Sequence, residues 1–531
     1  MSLMNLDVFL HHLQYDPDKV KPLNWETDWD DAPLPYKLYR DLPMIPLSRE
    51  VPATLEGRVT TGEPPNLRDI GHFLYYTFGL TQLTQSVMER DTSEESAGVL
   101  QMCRRFVPSG GGLYPSELYL YLKLGELPAG VYHYDAAHHR LALLREGNFD
   151  DYVAKSLGNR RDVSGCFGAA FVSTVYWKNF YKYNNFSYRL QGLDAGILIG
   201  QLLEIAKRFG YSSSVHFQFL DQAVNHLLGL SEQEESVYAV IPLSTDPVIR
   251  WMERGNEDQD TVSASELCGD LLPIKHDHYV RSQRIADYPI LLQMSEASRL
   301  DSTRMFREIR KDEQAIPDHA LALPLPPVDR LSYDLAAACR NRFSPETEFI
   351  SKPIGLSRLA ALLREATASF SYHNDLDGPR ERTEPRVCLY GCFYGVEDLP
   401  DGAYRYDGAE HALQSVSPGD HRQRLQEGMS LPNINLFQVP LGFHVAGKRN
   451  FFQSLLGKRG YRIQQMEAGM LVHRLLLASS ALGMGGRPLL GFDANSSDAL
   501  YRTASRDETG LIFIPVGPYR QRLRLAGSLS R

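Results

Sequence analysis

The sequence predicts an α+β protein made of two tandem copies of one domain, packed on each other as an intrachain pseudo-dimer. Three observations carry this. Its 531 residues exceed what one hydrophobic core supports, so two or three domains are expected. LPAGVYHYDAAHHRL, from Leu127, recurs as LPDGAYRYDGAEHAL, from Leu399, with nine of fifteen residues identical at an offset of 272. YRLQGLDAGILIGQLLEIAKRFG, from Tyr188, recurs as YRIQQMEAGMLVHRLLLASSALG, from Tyr461, at an offset of 273. Two separate blocks with almost one offset mark a duplication. A duplicated homodimer keeps its two-fold interface inside one chain.

The elements follow in order. Residues 1–45, with WETDWDDAPLPYKLYRDLP, read as an arm that wraps rather than a domain. The first copy, 46–245, opens its conspicuous chemistry with PSGGGLYP at 108–115, then ELYLYLKL (117–124), which alternates as a strand does. His138 and His139 fall in a polar turn and read as surface residues. RDVSGCFGAAFVSTVYW feeds a core strand in which Cys166 is an ordinary buried cysteine. Tyr188–Gly210 has helical apolar spacing and a glycine stop. His216, in SSSVHFQFL, reads as a half-buried strand histidine, and VYAVIPL (237–243) as a strand. The stretch 246–325, with RGNEDQD and LALPLPP, reads as linker with some short helix. The second copy, 326–531, ends on the strand-like GLIFIPVG (510–517).

Composition excludes several classes. A net charge of −9 and a pI near 6.0 argue against nucleic acid as a partner. No apolar run is long enough to span a bilayer. MSLMNLDVFLHHLQYDPDKV lacks the basic-then-apolar order of a signal peptide. Six cysteines without a CxxC pair suit a reducing cytoplasm and suggest neither a disulfide framework nor a metal site; Cys388 and Cys392 have no second ligand pair.

The copies have diverged in complementary ways. Glycine triplets are costly to order and mark a close backbone approach. At the repeat offset Ser109 falls opposite Glu381, in HNDLDGPRERTEPRV, so only the first copy keeps the glycine cradle. Arg340 and Arg342, in LAAACRNRF, are spaced to chelate a phosphate, or are solvated surface charges; the first copy offers only Arg49 and Arg58 in that region. Lys182-Tyr183 stand where the second copy has Leu455-Leu456. A cation beside a phenol lowers its pKa and makes an acid or base usable near neutral pH, although three tyrosines crowded together also read as a surface aromatic cluster. Tyr188 and Arg189 recur in both copies, which points to packing or an ion pair rather than chemistry. One composite site at the pseudo-dimer interface is expected, with a decayed symmetry mate.

PSGGGLYPSELY, the GVYHYD block, and KY followed by YR and an AG-containing helix resemble the SagB-type, McbC-like dehydrogenases of the FMN-dependent nitroreductase-like superfamily. The likeness is strong over 100–245 and weaker over 326–531. It implies two nitroreductase-like domains and FMN held between them. By resemblance Pro108, Ser109 and Gly110 lie against the flavin. Arg340 and Arg342 match an Arg-x-Ser-x-Arg phosphate segment whose middle serine is missing. Leu490 and Gly491 supply backbone in a Gly-Phe-Asp segment, and Arg520 and Arg522 are the basic residues near the C-terminus. Lys182 and Tyr183 match the catalytic pair of azoline dehydrogenases, with Phe186 where the family often has arginine. The activity implied is oxidation of thiazolines or oxazolines in a ribosomally made precursor peptide, alongside a cyclodehydratase. The alternatives are an NAD(P)H-dependent nitro, quinone or enone reductase, a flavoenzyme oxidising another amide-like substrate such as a cyclic dipeptide, and a flavin-free scaffold that binds a peptide.

Overall fold

The structure, a computed structural model, describes residues 5–22, 25–57, 62–88, 98–159, 163–249, 251, 261–309, 322–368, 372–377, 385–521 and 527–528. In chain order the strands are β1 Met44–Pro46, β2 Leu80–Met88, β3 Gly98–Arg105, β4 Ser116–Leu122, β5 Gly130–Asp135, β6 Arg140–Glu146, β7 Gly168–Val175, β8 Ser212–Val215, β9 Glu235–Ser244, β10 Ala322–Pro324, β11 His373–Asn374, β12 Val387–Phe393, β13 Gly402–Asp407, β14 Ala412–Pro418, β15 Leu441–Lys448, β16 Gly485–Gly486, β17 Glu508–Gly517 and β18 Gly527–Ser528.

Two sheets share one strand order. The first runs β1-β6-β5-β4-β7-β9-β8 and the second β10-β14-β13-β12-β15-β17-β16. Even irregularities repeat. The β7/β9 ladder shifts register between Val172 and Ser173, and β15/β17 between Val445 and Ala446, again 273 residues on. Such bulges are built features of a fold, so their repetition extends the duplication to backbone detail. Both edge strands, β1 and β10, begin two to four residues ahead of the boundaries expected at 46 and 326. They pair with β6 and β14 and so belong to the sheets rather than to arm or linker.

The halves exchange strands. β11 leaves the second half and adds to the first sheet parallel to β8, with His373 opposite Ser214. β18 reaches from the C-terminal end to the β2–β3 hairpin. Between the sheets lie two helices, Ser187–Phe209 and Arg459–Ala481. Every residue of the first except Lys207 and Arg208 is buried, as expected of a helix at the centre of a large core. The two cross at the repeated Ala-Gly: a Cβ on Gly196 would stand 1.9 Å from the Met466 carbonyl oxygen, and one on Gly469 2.2 Å from that of Leu193. Only glycine permits that approach. At one end the repeated tyrosines Tyr188 and Tyr461 stack, centroids 5.9 Å apart at 12°. Arg189 donates to the Leu13 carbonyl and Arg462 pairs with Asp221, so this repeated pair serves packing.

The arm is integral. Its helix Leu6–Tyr15 buries Phe9, Leu10 and Leu13 in a separate core with Tyr176, Phe180, Tyr188 and residues of the 246–325 stretch. His139 is a half-buried exception to the surface reading: the Tyr134 hydroxyl lies 2.9 Å from its Nδ1, and burial lowers its pKa to about 4. No helix among the described residues is long and apolar enough to cross a membrane.

Candidate active site

The glycine run forms a single tight turn. Gly111 and Gly112 take φ of 65° and 71°, and Tyr114 follows at 49°. Its anchor is Asp194 on the first central helix. Ser109 Oγ donates to Asp194 Oδ2 at 2.7 Å, and the Gly110 N–H to Oδ1 at 3.0 Å. Ser109 Oγ in turn accepts the Tyr114 N–H at 2.9 Å. Burial raises the Asp194 carboxyl to about 6, against the two hydrogen bonds that favour its ionised form. What the glycines approach is the Lys182-Tyr183 pair. A Cβ on Gly111 would sit 2.5 Å from Tyr183 Oη and 3.1 Å from Lys182 Nζ, and one on Gly110 2.7 Å from Leu190 Cδ2. Pro108, Ser109 and Gly110 are half-buried, and Gly111 is exposed at the rim.

Lys182 and Tyr183 end the helix Trp177–Tyr183, which stops at Asn184 with φ 46°. Lys182 Nζ stands 5.1 Å from the centroid of the Tyr183 ring and 5.2 Å from that of Trp29. Neither its ammonium nor the phenol meets a hydrogen-bond or ion-pair partner among the described residues. The expected lowering of the phenol pKa does not occur. Burial pushes Tyr183 up to about 12, with Asp194 adding to the rise and Arg487 opposing it. Burial pushes Lys182 down. The ammonium lies over the ring rather than against the hydroxyl, and both groups are desolvated, so the amine of Lys182 is the better proton acceptor.

The second half supplies the facing residues. Arg342 is 7% exposed, and its Nε has no hydrogen-bond partner among the described residues. Burial and the neighbouring Arg104 lower its pKa to about 10, while Tyr114 of the glycine turn acts in the opposite sense. Arg340 does not converge with it. It is exposed and donates to the Ala53 carbonyl, because the helix Leu335–Asn341 ends between the two and turns them apart. Leu490 and Gly491 lie in the turn between β16 and the helix Ala494–Tyr501, with the Gly491 carbonyl accepting from Ser430 N–H at 3.0 Å. Neither the Leu490 nor the Gly491 N–H meets an acceptor among the described residues. Arg520 is exposed and its N–H donates to the Glu348 carbonyl at 2.9 Å. Arg522 and Glu381 lie outside the described residues.

Arg487 and Asp194 escape a reading of motifs. Arg487 bonds Glu346 Oε1 at 2.6 Å and the Ser344 carbonyl at 3.3 Å while its charge acts on Tyr183. The signal was the aligned repeat, where Ser214 stands at the same offset.

The symmetry-related place is filled by the chain itself. Phe217 and Gln218, 273 residues before Leu490 and Gly491, donate their N–H groups to Asp375 Oδ1 at 2.8 Å and Oδ2 at 2.9 Å. Glu467, the counterpart of Asp194, holds no glycine turn. It receives Arg386 Nε at 3.0 Å and the Tyr372 hydroxyl at 2.7 Å. Among the described residues no group of three or more His, Cys, Asp and Glu is placed to hold a metal ion.

The mixed α/β fold holds two sheets of one strand order, and residues 84–243 match the nitroreductase family model. The chain thus contains a nitroreductase-family domain in a mixed α/β, nitroreductase-like fold. A solved structure named as a nitroreductase, from Anabaena variabilis, superposes with a TM-score of 0.71 over 97% of this chain and 99% of its own, at 20% identity. The trifolitoxin-processing protein TfxB of Rhizobium leguminosarum bv. trifolii is 30% identical over 139 residues, which are 25% of this chain and 37% of that protein. The chain therefore spans about a third of that curated relative. The Escherichia coli microcin synthetase McbBCD complex, solved with truncated pro-MccB17, matches at a TM-score of 0.28 and 22% identity, over 37% of this chain and 70% of its own.

Proposed function

We propose that the chain is an FMN-dependent oxidoreductase that dehydrogenates thiazoline or oxazoline rings in a ribosomally made peptide. In this reading residues 46–245 and 326–531 are two nitroreductase-like domains fused as a pseudo-dimer. The protein works in the cytoplasm beside a cyclodehydratase that makes the ring. The nitroreductase-family match supports flavin redox chemistry, and the likeness to a trifolitoxin-processing protein supports a peptide substrate.

The residues present fit a flavin. Pro108 and Ser109 lead into the Gly110–Gly112 turn, where a Cβ on Gly110 or Gly111 would meet Leu190 or Tyr183 and only glycine lets the backbone lie so close. The open N–H groups of Leu490 and Gly491 and the unpartnered Nε of Arg342 offer donors to an electron-rich, anionic group. These residues, with Arg487 nearby, would hold it. FMN supplies acceptance of a hydride when bound. The chain's own residues do the rest. Lys182 takes the proton from the ring carbon that was Cα, and Tyr183 holds the neutral phenol beside it. Gly111 lets the turn pack close to both side chains without a Cβ in the way. Asp194 fixes the turn from beneath.

The observation that carries the reading is the pair Lys182 and Tyr183, desolvated, without a hydrogen-bond or ion-pair partner among the described residues, and close against Gly111. A reductase of nitro groups or quinones needs no positioned carbon base. The test is the absorbance spectrum of the purified protein, followed by incubation with a thiazoline-bearing peptide. A yellow protein and a peptide that loses two hydrogens are expected. NADPH consumption without peptide, and no change in the peptide, would reject the reading.

A further inference from the structure

The N-terminal arm carries one large aromatic side chain that its packing does not explain. Trp25 is edge-on to Phe180 at 5.2 Å, inside the arm's own core, but Trp29 keeps 51% of its surface exposed. A single exposed apolar residue means nothing by itself. This one is clamped at the site. Two residues on, the Asp31 carboxylate accepts the N–H groups of Gln283 at 2.6 Å and Arg284 at 2.8 Å. Ser282 Oγ donates to the Asp31 carbonyl at 2.7 Å and accepts Trp177 Nε1–H at 2.9 Å. Trp177 begins the helix that ends in Lys182 and Tyr183, so the clamp ties Trp29 to the helix of the reacting pair. The Trp29 ring meets Tyr181 edge-on at 6.3 Å, and Lys182 Nζ lies 5.2 Å from its centroid.

Resting on the reaction proposed above, we propose that Trp29 is a substrate-positioning residue: its exposed indole receives the planar five-membered ring of the peptide and sets that ring's carbon before Lys182. The chemistry recognised is a near-planar five-membered azoline ring in a peptide backbone, whose C=N face stacks as the flatter azole product does. An indole face stacks on such a ring through dispersion and quadrupole complementarity, and the same indole holds the Lys182 ammonium near the ring edge by cation–π attraction. The arm is therefore one wall of the site.

The probe is a short peptide bearing one thiazole, which has no hydrogens left to lose. Its binding to the flavin-loaded protein is measured by calorimetry for the wild type, Trp29→Ala and Trp29→Phe. Binding by the wild type, weakened roughly tenfold in Trp29→Ala and restored to within about twofold in Trp29→Phe, is expected from the worth of an aromatic pair. With a thiazoline peptide, Trp29→Ala should raise KM and also lower kcat, because the ring carbon is no longer held before Lys182, and Trp29→Phe should restore both, a rescue that a merely structural role would not give. Equal affinity in Trp29→Ala and wild type, or no binding by the wild type, would overturn the ring site. A thiazole peptide that binds through Trp29 beside a thiazoline peptide that is never oxidised would overturn the reaction and leave the ring site standing.

Discussion

Lys182 and Tyr183 lie side by side in the chain, yet desolvation separates their tasks. Lys182 loses its proton more readily than a free lysine, whereas Tyr183, raised to about 12, stays a neutral phenol at working pH. On the proposed reaction the rate should rise with pH to a plateau, with its break below the 10.5 of an ordinary lysine. Lys182→Ala should keep flavin bound and lose roughly a hundredfold to ten-thousandfold in kcat, the usual contribution of a general base; a profile unchanged by this substitution rejects the role. Asp194 gives a prediction that needs no substrate. Its carboxyl is raised from the ordinary 3.8 to about 6. Between those values the folded chain binds a proton that the unfolded chain has released, so this group lowers stability as pH rises from about 4 to about 6 and is level above. Asp194→Asn cannot titrate there. Its stability relative to wild type should therefore climb across that window, by on the order of 3 kcal/mol, in denaturant titrations at several pH values. Ser109, Gly110, Lys182 and Tyr183 stand out in the sequence because the repeat shows what the other copy lacks, and the structure brings them together at one turn. Asp194 did not stand out, because its counterpart Glu467 is also acidic and the repeat shows no difference there. The Tyr183 shift was misjudged because adjacency in sequence says nothing about depth of burial.

At the scale of elements the two central helices decide whether the halves can share a site. Their crossing places Gly196 under the Met466 carbonyl and Gly469 under that of Leu193. Neither neighbour is a side-chain end that can swing away. Gly196→Ala and Gly469→Ala should each cost about 3 kcal/mol or more, beyond ordinary overpacking, seen as a large fall in melting temperature. Gly200→Ala should cost far less, since its Cβ would meet His473 side-chain atoms at 3.1 Å and beyond, and a ring can shift. The long helices, GVYHYD and the terminal strands were readable because periodicity and repetition agree. β11 was not: His373–Asn374 is too short to alternate, and it joins the other half's sheet, a partner no local pattern names. The edge strands β1 and β10 escaped for the same reason, being three residues each and ending in proline.

On the proposed function two places related by the repeat could receive a flavin, and at one of them the chain's own side chains take the ligand donors. In the second half, the N–H groups of Leu490 and Gly491 meet no acceptor among the described residues. At the symmetry mate, the N–H groups of Phe217 and Gln218 are taken by the Asp375 carboxylate. Arg386 is anchored there by bonds to Glu467 and Asp377. A carboxylate seated on two backbone N–H groups occupies the donors that an exogenous ligand would need. The guanidinium neutralises the acid that in the other half fixes the turn. On the proposed function the protein should therefore carry one FMN per chain, read from flavin absorbance against protein concentration; two equivalent flavins per chain would defeat the idea. Arg386→Ala should not admit a second flavin, since it restores neither a glycine turn nor a facing arginine. It should instead strand Glu467 and Asp377 as unpaired buried charges and cost about 3–5 kcal/mol of stability. Arg342→Ala should do the reverse, weakening flavin retention in dialysis with a smaller effect on unfolding, because burial already strains its charge and its Nε has no partner to lose. Opposite responses to removing one arginine from each crevice would separate a site that binds from one that only holds the chain together.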